Sequence, residues 1–173
     1  MTYARTLLGT ASMVTAAATA GALGTDPRSR WYTELRKPPW QPPPPVYGIV
    51  WTPLYGTIAY AGARAIDRAG GAERRALWRA LGVNLALNAA WPPLFFRAHS
   101  PRSAFAEILA LNVSNLLLAR RAARADRRAG LLLLPYAGWT AFATLLNGAI
   151  VRLDSGPGGR RRRAGGRRAA RRR

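Results

Sequence analysis

The sequence predicts an all-α integral membrane protein: five transmembrane helices in a bundle, with a long Pro/Trp-rich loop between the first and second. Three observations predict it. Five windows contain no basic residue and at most one acid: Thr6 to Thr25, Pro38 to Ala63, Ala80 to Phe96, Ser103 to Ala119 and Ala129 to Val151. These windows lack the polar face that a soluble amphipathic helix shows at a 3.6-residue period. The stretch WYTELRKPPWQPPPPVYGIVWTPLY, from Trp31 to Tyr55, concentrates tryptophan, tyrosine and proline ahead of an apolar run. Overall composition points elsewhere. A formal net charge of +20 and a mean hydropathy of -0.09 resemble a basic helical nucleic-acid binder. That remains the more remote alternative, because nine of the 27 basic residues lie between Arg160 and Arg173, where no aromatic residue is interleaved to stack on bases.

The first span, about 6–25, is long enough at 1.5 Å per residue to cross a hydrocarbon core of about 30 Å. Small residues at Ala17 and Gly21, and at Ala20 and Gly24, allow close helix approach in lipid. A cleaved signal peptide is a second reading, since Arg5 precedes an apolar run with small residues near Ala20 and Ala22. A buried helix of a soluble bundle is a third. The second span is placed at 46–63, because Pro42 to Pro45 fit neither a helix interior nor a central strand. The third, 80–96, contains Pro92 and Pro93. The fourth, 103–119, carries Glu107, which suits a first helical turn. The fifth, 129–151, contains Pro135. Prolines 53, 92, 93 and 135 each remove a backbone hydrogen bond, and kinked helices around a shared centre leave a cavity. Residues 1–154 therefore form one membrane domain, and 155–173 a disordered Arg/Gly-rich basic tail.

Amides in hydrocarbon are costly unless they meet a partner or a cavity. Asn84, Asn88 and Trp91 share one helical stripe, as do Trp139, Ala143 and Asn147; Asn112 and Asn115 lie on one side of the fourth window. Such asparagines are more often interhelical glue than ligand contacts. The chain has no cysteine and one histidine, which excludes a thiol nucleophile and a multi-histidine metal site. No pair of carboxylates stands out among its seven acids. With five spans the termini lie on opposite sides. One side holds 11 basic residues; the other holds 16, or 7 without the tail. Arg160 to Arg163 lie close enough to a span end to count in the positive-inside rule, so the carboxyl tail leans cytosolic. There it is placed to contact anionic lipid.

Three segments then carry a resemblance: WYTELRKPPWQPPPPVYGIVWTPLY, NLALNAAWPPLFF from Asn84, and PYAGWTAFATLLN from Pro135. In order and spacing, from about Thr6 to Asp154, they resemble the TspO/MBR family, called tryptophan-rich sensory protein in bacteria and translocator protein or peripheral benzodiazepine receptor in animals. The resemblance implies a membrane receptor, sensor or transporter-like protein, commonly a homodimer. Such a protein binds porphyrins, haem and related hydrophobic molecules in a cavity under the first loop and requires no cofactor or metal.

Carried over by position, the resemblance implies a ligand lining of Tyr32, Trp51, Tyr55, Asn84, Asn88, Trp91, Trp139, Phe142, Ala143 and Leu146, with Trp40, Pro42 and Pro43 in the lid. Arg28, Arg30, Arg36 and Lys37 are either solvated loop charges or a means of attracting porphyrin propionates. His99 is a solvated turn residue, with axial haem ligation as the sharper reading. The alternative activity is light-dependent porphyrin degradation, in which the matching tryptophans are Trp51 and Trp139. Departures from the pattern are specific. Leu145 to Arg152 lacks the tyrosine of the animal sterol-recognition motif, Asn84 stands where glutamine is usual, and Trp78, matching no family tryptophan, reads as an interface anchor.

Overall fold

The computed structural model describes residues 2–155, and its regular structure is entirely helical over them. In chain order the helices are α1 (Tyr3–Gly24), α2 (Arg30–Glu34), α3 (Pro44–Arg68), α4 (Gly71–Pro92), a π-helical turn (Pro93–Arg97), α5 (Pro101–Ala125), α6 (Arg127–Leu132) and α7 (Leu134–Ser155). The basic tail expected from residue 155 onward falls, beyond Ser155 itself, outside the described residues.

Proline decides most of the boundaries. Pro44 and Pro45 open α3 rather than precede it, because the first N–H groups of a helix have no intrahelical partner and lose nothing when proline removes them. At Pro92 and Pro93, α4 gives way to the π-helical turn, closed by the Ala98 N–H donating to the Pro93 carbonyl at 2.9 Å. Pro135 divides the expected fifth helix in two at Leu133. Charge-free windows, by contrast, mark apolar stretches and not helix ends. α4 begins at Gly71, with Glu73, Arg74, Arg75 and Arg79 in its first turns, and α5 runs on to Ala125. Arg74 turns back to cap α3, its Nε donating to the carbonyls of Ile66 and Ala69 at 3.1 and 3.0 Å and its Nη2 to that of Asp67 at 3.1 Å.

Among the described residues two segments, Tyr3–Gly24 and the combined Arg127–Ser155, are long and apolar enough to cross a membrane. That is fewer than the five windows suggest. The charges at the ends of α3, α4 and α5, and the asparagines and tyrosines within them, lower the mean hydropathy of any long stretch.

α1 packs on α3 and α4, α5 lies against α4 and α7, and α6 bridges α3 and α5. On α1 one stripe is buried, Thr6, Thr10, Val14, Ala17, Gly21 and Gly24, and the Thr10 hydroxyl donates across to the Ala59 carbonyl at 2.9 Å. Trp78, expected as an interface anchor, is partly buried and lays its ring on α1. A Cβ at Gly9 would meet that ring at 2.8 Å. Glu107 also differs from expectation, because α5 starts at Pro101 and so places it in the second turn. Both its carboxylate oxygens are buried, with no hydrogen-bond partner among the described residues.

At the α6 end the packing is close. Asp126 accepts hydrogen bonds from the N–H groups of Arg128 and Ala129 at 2.8 and 3.2 Å, and pairs with Arg64 at 2.9 Å and Arg68 at 3.7 Å. Burial pushes its carboxyl pKa up, but Arg64 and the two N–H groups outweigh it and hold the group below the ordinary value. Toward the other end α3 and α7 have few contacts, and a cavity opens between them.

Candidate functional site: a lidded aromatic cavity

The cavity measures about 450 Å³, within the roughly 300–1,000 Å³ of ordinary ligand pockets. Its walls come from α1, α3, α4, the π-helical turn, α5 and α7, and its roof from the loop that holds α2.

The roof is fastened by aromatic contacts. Trp31 of α2 meets Phe95 edge-on at 5.5 Å and stacks on His99 at 4.7 Å, while Tyr32 lies 5.1 Å from Phe96 and 6.3 Å from Phe95. Leu35 is buried in the same cluster as Phe95, Phe96, Leu146 and Ile150. Lys37 donates to the Tyr32 carbonyl, and its ammonium lies 4.3 Å from the Tyr32 ring centroid. This burial lowers the Lys37 pKa. A turn closed by the Gln41 N–H on the Pro38 carbonyl, at 3.1 Å, then brings the Gln41 amide nitrogen within 3.0 Å of the Tyr32 hydroxyl. Burial raises the Tyr32 pKa, and the hydrogen bond from Gln41 opposes the shift.

The walls are aromatic. Trp51 stacks on Tyr55 at 5.0 Å and meets Tyr136 edge-on at 6.1 Å; across the gap Tyr47 meets Trp139 at 6.0 Å; Trp91 stacks on Phe95 at 4.8 Å. These rings offer broad apolar faces with polar rims, the surface a flat ligand needs.

A chain of amides and hydroxyls supports the walls from behind. Tyr55 donates to Asn88 Oδ1 at 3.2 Å, Asn88 Nδ2 to the Tyr136 hydroxyl at 3.1 Å, and that hydroxyl to Asn84 Oδ1 at 3.2 Å. Asn84 Nδ2 donates to Asn115 Oδ1 at 2.6 Å and to Ser114 Oγ at 3.2 Å, and Asn115 Nδ2 to Thr140 Oγ1 at 2.8 Å. A separate link joins Trp91 Nε1 to Asn147 Oδ1 at 3.1 Å, and Asn147 Nδ2 to the Pro101 carbonyl at 2.9 Å. Donor capacity separates the two asparagines of α4. An amide nitrogen carries two hydrogens. Asn84 commits both, whereas Asn88, which lines the cavity, commits one.

Of the residues expected at the site, Tyr32, Trp51, Tyr55, Asn88, Trp91, Trp139, Ala143 and Leu146 line the cavity. Asn84 does not: it is fully buried behind Tyr136, with its amide saturated. Phe142 also stands outside the lining, between Trp139 at 5.3 Å and the lid residue Trp40 at 5.9 Å. Trp40 is half exposed, and Pro42 and Pro43 lead the chain into α3, where Pro44 reaches the cavity. His99 is exposed and outside the lining. Sequence reasoning missed Gln41, Tyr47, Phe95, Phe96, Thr140 and Asn147 as lining residues. Tyr47 had a signal, since it precedes Trp51 by one helical turn. Asn147 was on the Trp139 stripe but was left out of the pocket.

Comparison with known proteins places this geometry in context. The model of the TspO/MBR family matches residues 9–153. The translocator protein of Ovis aries is 38% identical over 121 residues, covering 68% of this chain and 71% of the relative. That of Homo sapiens is 37% identical over 135 residues, covering 76% and 79%. The tryptophan-rich sensory protein of Cereibacter sphaeroides is 34% identical over 139 residues, covering 80% and 85%.

Proposed function

The chain belongs to the TspO/MBR family of membrane proteins, and from that premise we propose that it is a receptor, sensor or transporter-like protein for porphyrins, haem and related flat hydrophobic molecules. The observation that carries the reading is the cavity itself. Trp51, Tyr55, Trp91 and Trp139 give it aromatic faces, and Asn88 adds an amide to its lining. In this reading α1, α3, α4, α5 and the α6–α7 pair are five membrane spans. Outward-facing Leu8, Leu23, Ile49, Val83, Val113, Leu117 and Leu145 meet lipid, and the protein works as a homodimer. The carboxyl tail is cytosolic and contacts anionic lipid.

Titration of detergent-purified protein with protoporphyrin in darkness, followed by quenching of tryptophan fluorescence, tests the pocket. Trp139→Ala and Asn88→Ala should each weaken binding about tenfold. Unchanged binding in both variants would refute the assignment. A second reading, light-dependent porphyrin breakdown, is favoured by the position of Trp51, which lines the cavity while stacked on Tyr55 and edge-on to Tyr136. Under light it predicts loss of the Soret band and a new bilin-like absorbance, abolished in Trp51→Phe while dark binding persists. A Soret band that survives illumination leaves binding alone.

A further inference from the structure

We propose that the α6 end of the bundle binds an anionic phospholipid along the seam between α4 and α5, its headgroup held by Arg79 and Arg121 and its acyl chains lying on Val83 and Leu117. The inference rests on α4 and α5 crossing the bilayer, and not on what the cavity holds.

The unpaired cations of the described chain collect at this end. Arg75 and Arg79 on α4, and Arg120, Arg121 and Arg124 on α5, are exposed, and their side chains make no ion pair or hydrogen bond among the described residues. Arg127 and Arg128, also exposed, open α6. The acids here are Asp67, Glu73 and Asp126, and Asp126 is already taken by Arg64 and Arg68. Cations at the lid end have partners instead. Arg30 pairs with Glu34, Lys37 donates to the Tyr32 carbonyl, Arg97 to the Leu23 carbonyl at 2.7 Å and Arg102 to the Ser155 hydroxyl at 3.0 Å.

Helix register brings two of these arginines to one depth. Asn84 Nδ2 reaches both Ser114 and Asn115, which fixes a shared level on the antiparallel helices α4 and α5. Arg79 lies five residues from Asn84 toward the α6 end, and Arg121 six from Asn115, a rise of about 7.5–9 Å in each helix. Ser114, Leu117 and Arg121 follow one stripe on the flank of α5 that meets α4. On α4, Trp78 and Gly82 face Gly9 and Met13 of α1, which leaves Arg79 and Val83 on the flank turned away from it. One turn below each arginine is an exposed apolar residue, Val83 at 58% and Leu117 at 54%. A guanidinium row above an apolar row matches a lipid whose phosphate sits above its chains, and guanidinium binds phosphate in a bidentate fork. Nucleic acid fits less well, because residues 119–129 hold no aromatic side chain to stack on bases.

The test uses the full chain in phosphatidylcholine vesicles containing a minority of phosphatidylglycerol. The chain has no cysteine, so Val113→Cys, exposed on α5, accepts a single bimane label. Quenching by brominated acyl chains, carried in turn by each lipid, reports the composition around the label. Phosphatidylglycerol should be enriched about fivefold over the bulk. Arg79→Gln combined with Arg121→Gln should remove most of that enrichment, and each substitution alone part of it, with thermal unfolding verifying that the variants are folded. Arg28→Gln combined with Arg36→Gln, an equal loss of charge at the lid end, should leave it intact, as should added inorganic phosphate. Bulk composition around the label overturns the inference. So does enrichment that survives the Arg79 and Arg121 substitutions, that falls equally in the lid-end pair, or that inorganic phosphate abolishes. Binding of an RNA oligonucleotide through the same two arginines, without lipid enrichment, would overturn it in favour of nucleic acid. No quenching by either lipid would instead show that this face of α5 lies outside the bilayer, and the five-span reading would fail together with the inference.

Discussion

The two ends of this bundle are built from the same helices on opposite plans. Toward α6 many of the buried side chains are small, Ala59, Ala61, Ala63 and Ala65 on α3 and Ala119, Ala122 and Ala129 on α5 and α6, with Ile66, Leu118 and Leu133 filling the space between them. Small side chains let backbones approach closely. At the lid end the facing residues of α3 and α7 are rings. Tyr47 against Trp139 and Trp51 against Tyr136, at centroid separations of 6.0 and 6.1 Å, hold the helices apart. The break before Pro135 and the π-helical turn after Pro92 let α7 and the end of α4 follow this divergence. Cavity and packed base are thus a consequence of side-chain size along α3. The amide and hydroxyl layer from Asn88 to Thr140 marks the boundary between them.

The largest expected effect tests the packed end. A Cβ added at Gly130 would lie 2.5 Å from the Ala123 Cβ, 2.8 Å from the Ala123 Cα and 3.0 Å from the Ala119 carbonyl oxygen, none of which is the end of a flexible side chain. Gly130→Ala should therefore cost about 3 kcal/mol in unfolding measurements. Porphyrin affinity measured well below the transition should hardly change. A harmless substitution would mean that α5 and α6 can separate and that this end is looser than described.

The boundary layer comes next. Asn84→Ala removes the partner of Tyr136, Asn115 and Ser114 and should lower stability by about 2 kcal/mol with little change in ligand affinity. Asn88→Ala should show the reverse emphasis, with affinity falling more than stability. If both variants behaved alike, the saturated amide and the cavity-lining one would not divide structure from binding.

Asp126 offers a pH test of the packed end alone. Its pKa is depressed in the folded state, so its contribution is whole above the ordinary carboxylate range near about 4 and is lost as pH falls through the lower folded value. Thermal midpoints should drop on acidification into that window. Asp126→Asn should start from a lower midpoint and lose the part of the slope that this group supplies.

How much of this was legible in the sequence depends on what each residue needed to know about its neighbours. The helices announce themselves as uncharged windows, and the stripe Trp139, Ala143 marks one wall without any structure. Asn84 and Asn88 share a stripe in the sequence yet differ in role, because Tyr136 shields only Asn84, and no local pattern encodes that. Phe95 and Phe96 were missed because the π-helical turn shifts the register that a 3.6-residue period assumes. Gln41 has no periodic neighbour at all. Its position follows from the turn at Pro38 and from contacts with Tyr32, nine residues earlier.

The smallest effect concerns Glu107, where the division between packing and binding is most finely drawn. It follows Ala106 and precedes Ile108 on α5; Ile108 and Leu111 line the cavity, but Glu107 does not, and both of its carboxylate oxygens are buried, with no hydrogen-bond partner among the described residues. Buried acceptors in that state oppose folding. Glu107→Leu should therefore raise stability by about 1 kcal/mol, and Glu107→Gln by less, because the amide keeps an acceptor and adds two donors in the same place. Ligand affinity should stay constant in both, as expected for a residue one position removed from the lining. A stabilised variant that also lost affinity would show that the carboxylate acts on the cavity through its field rather than by contact. That would move the limit of the binding end outward past Ile108 to include the face of α5 that carries Glu107.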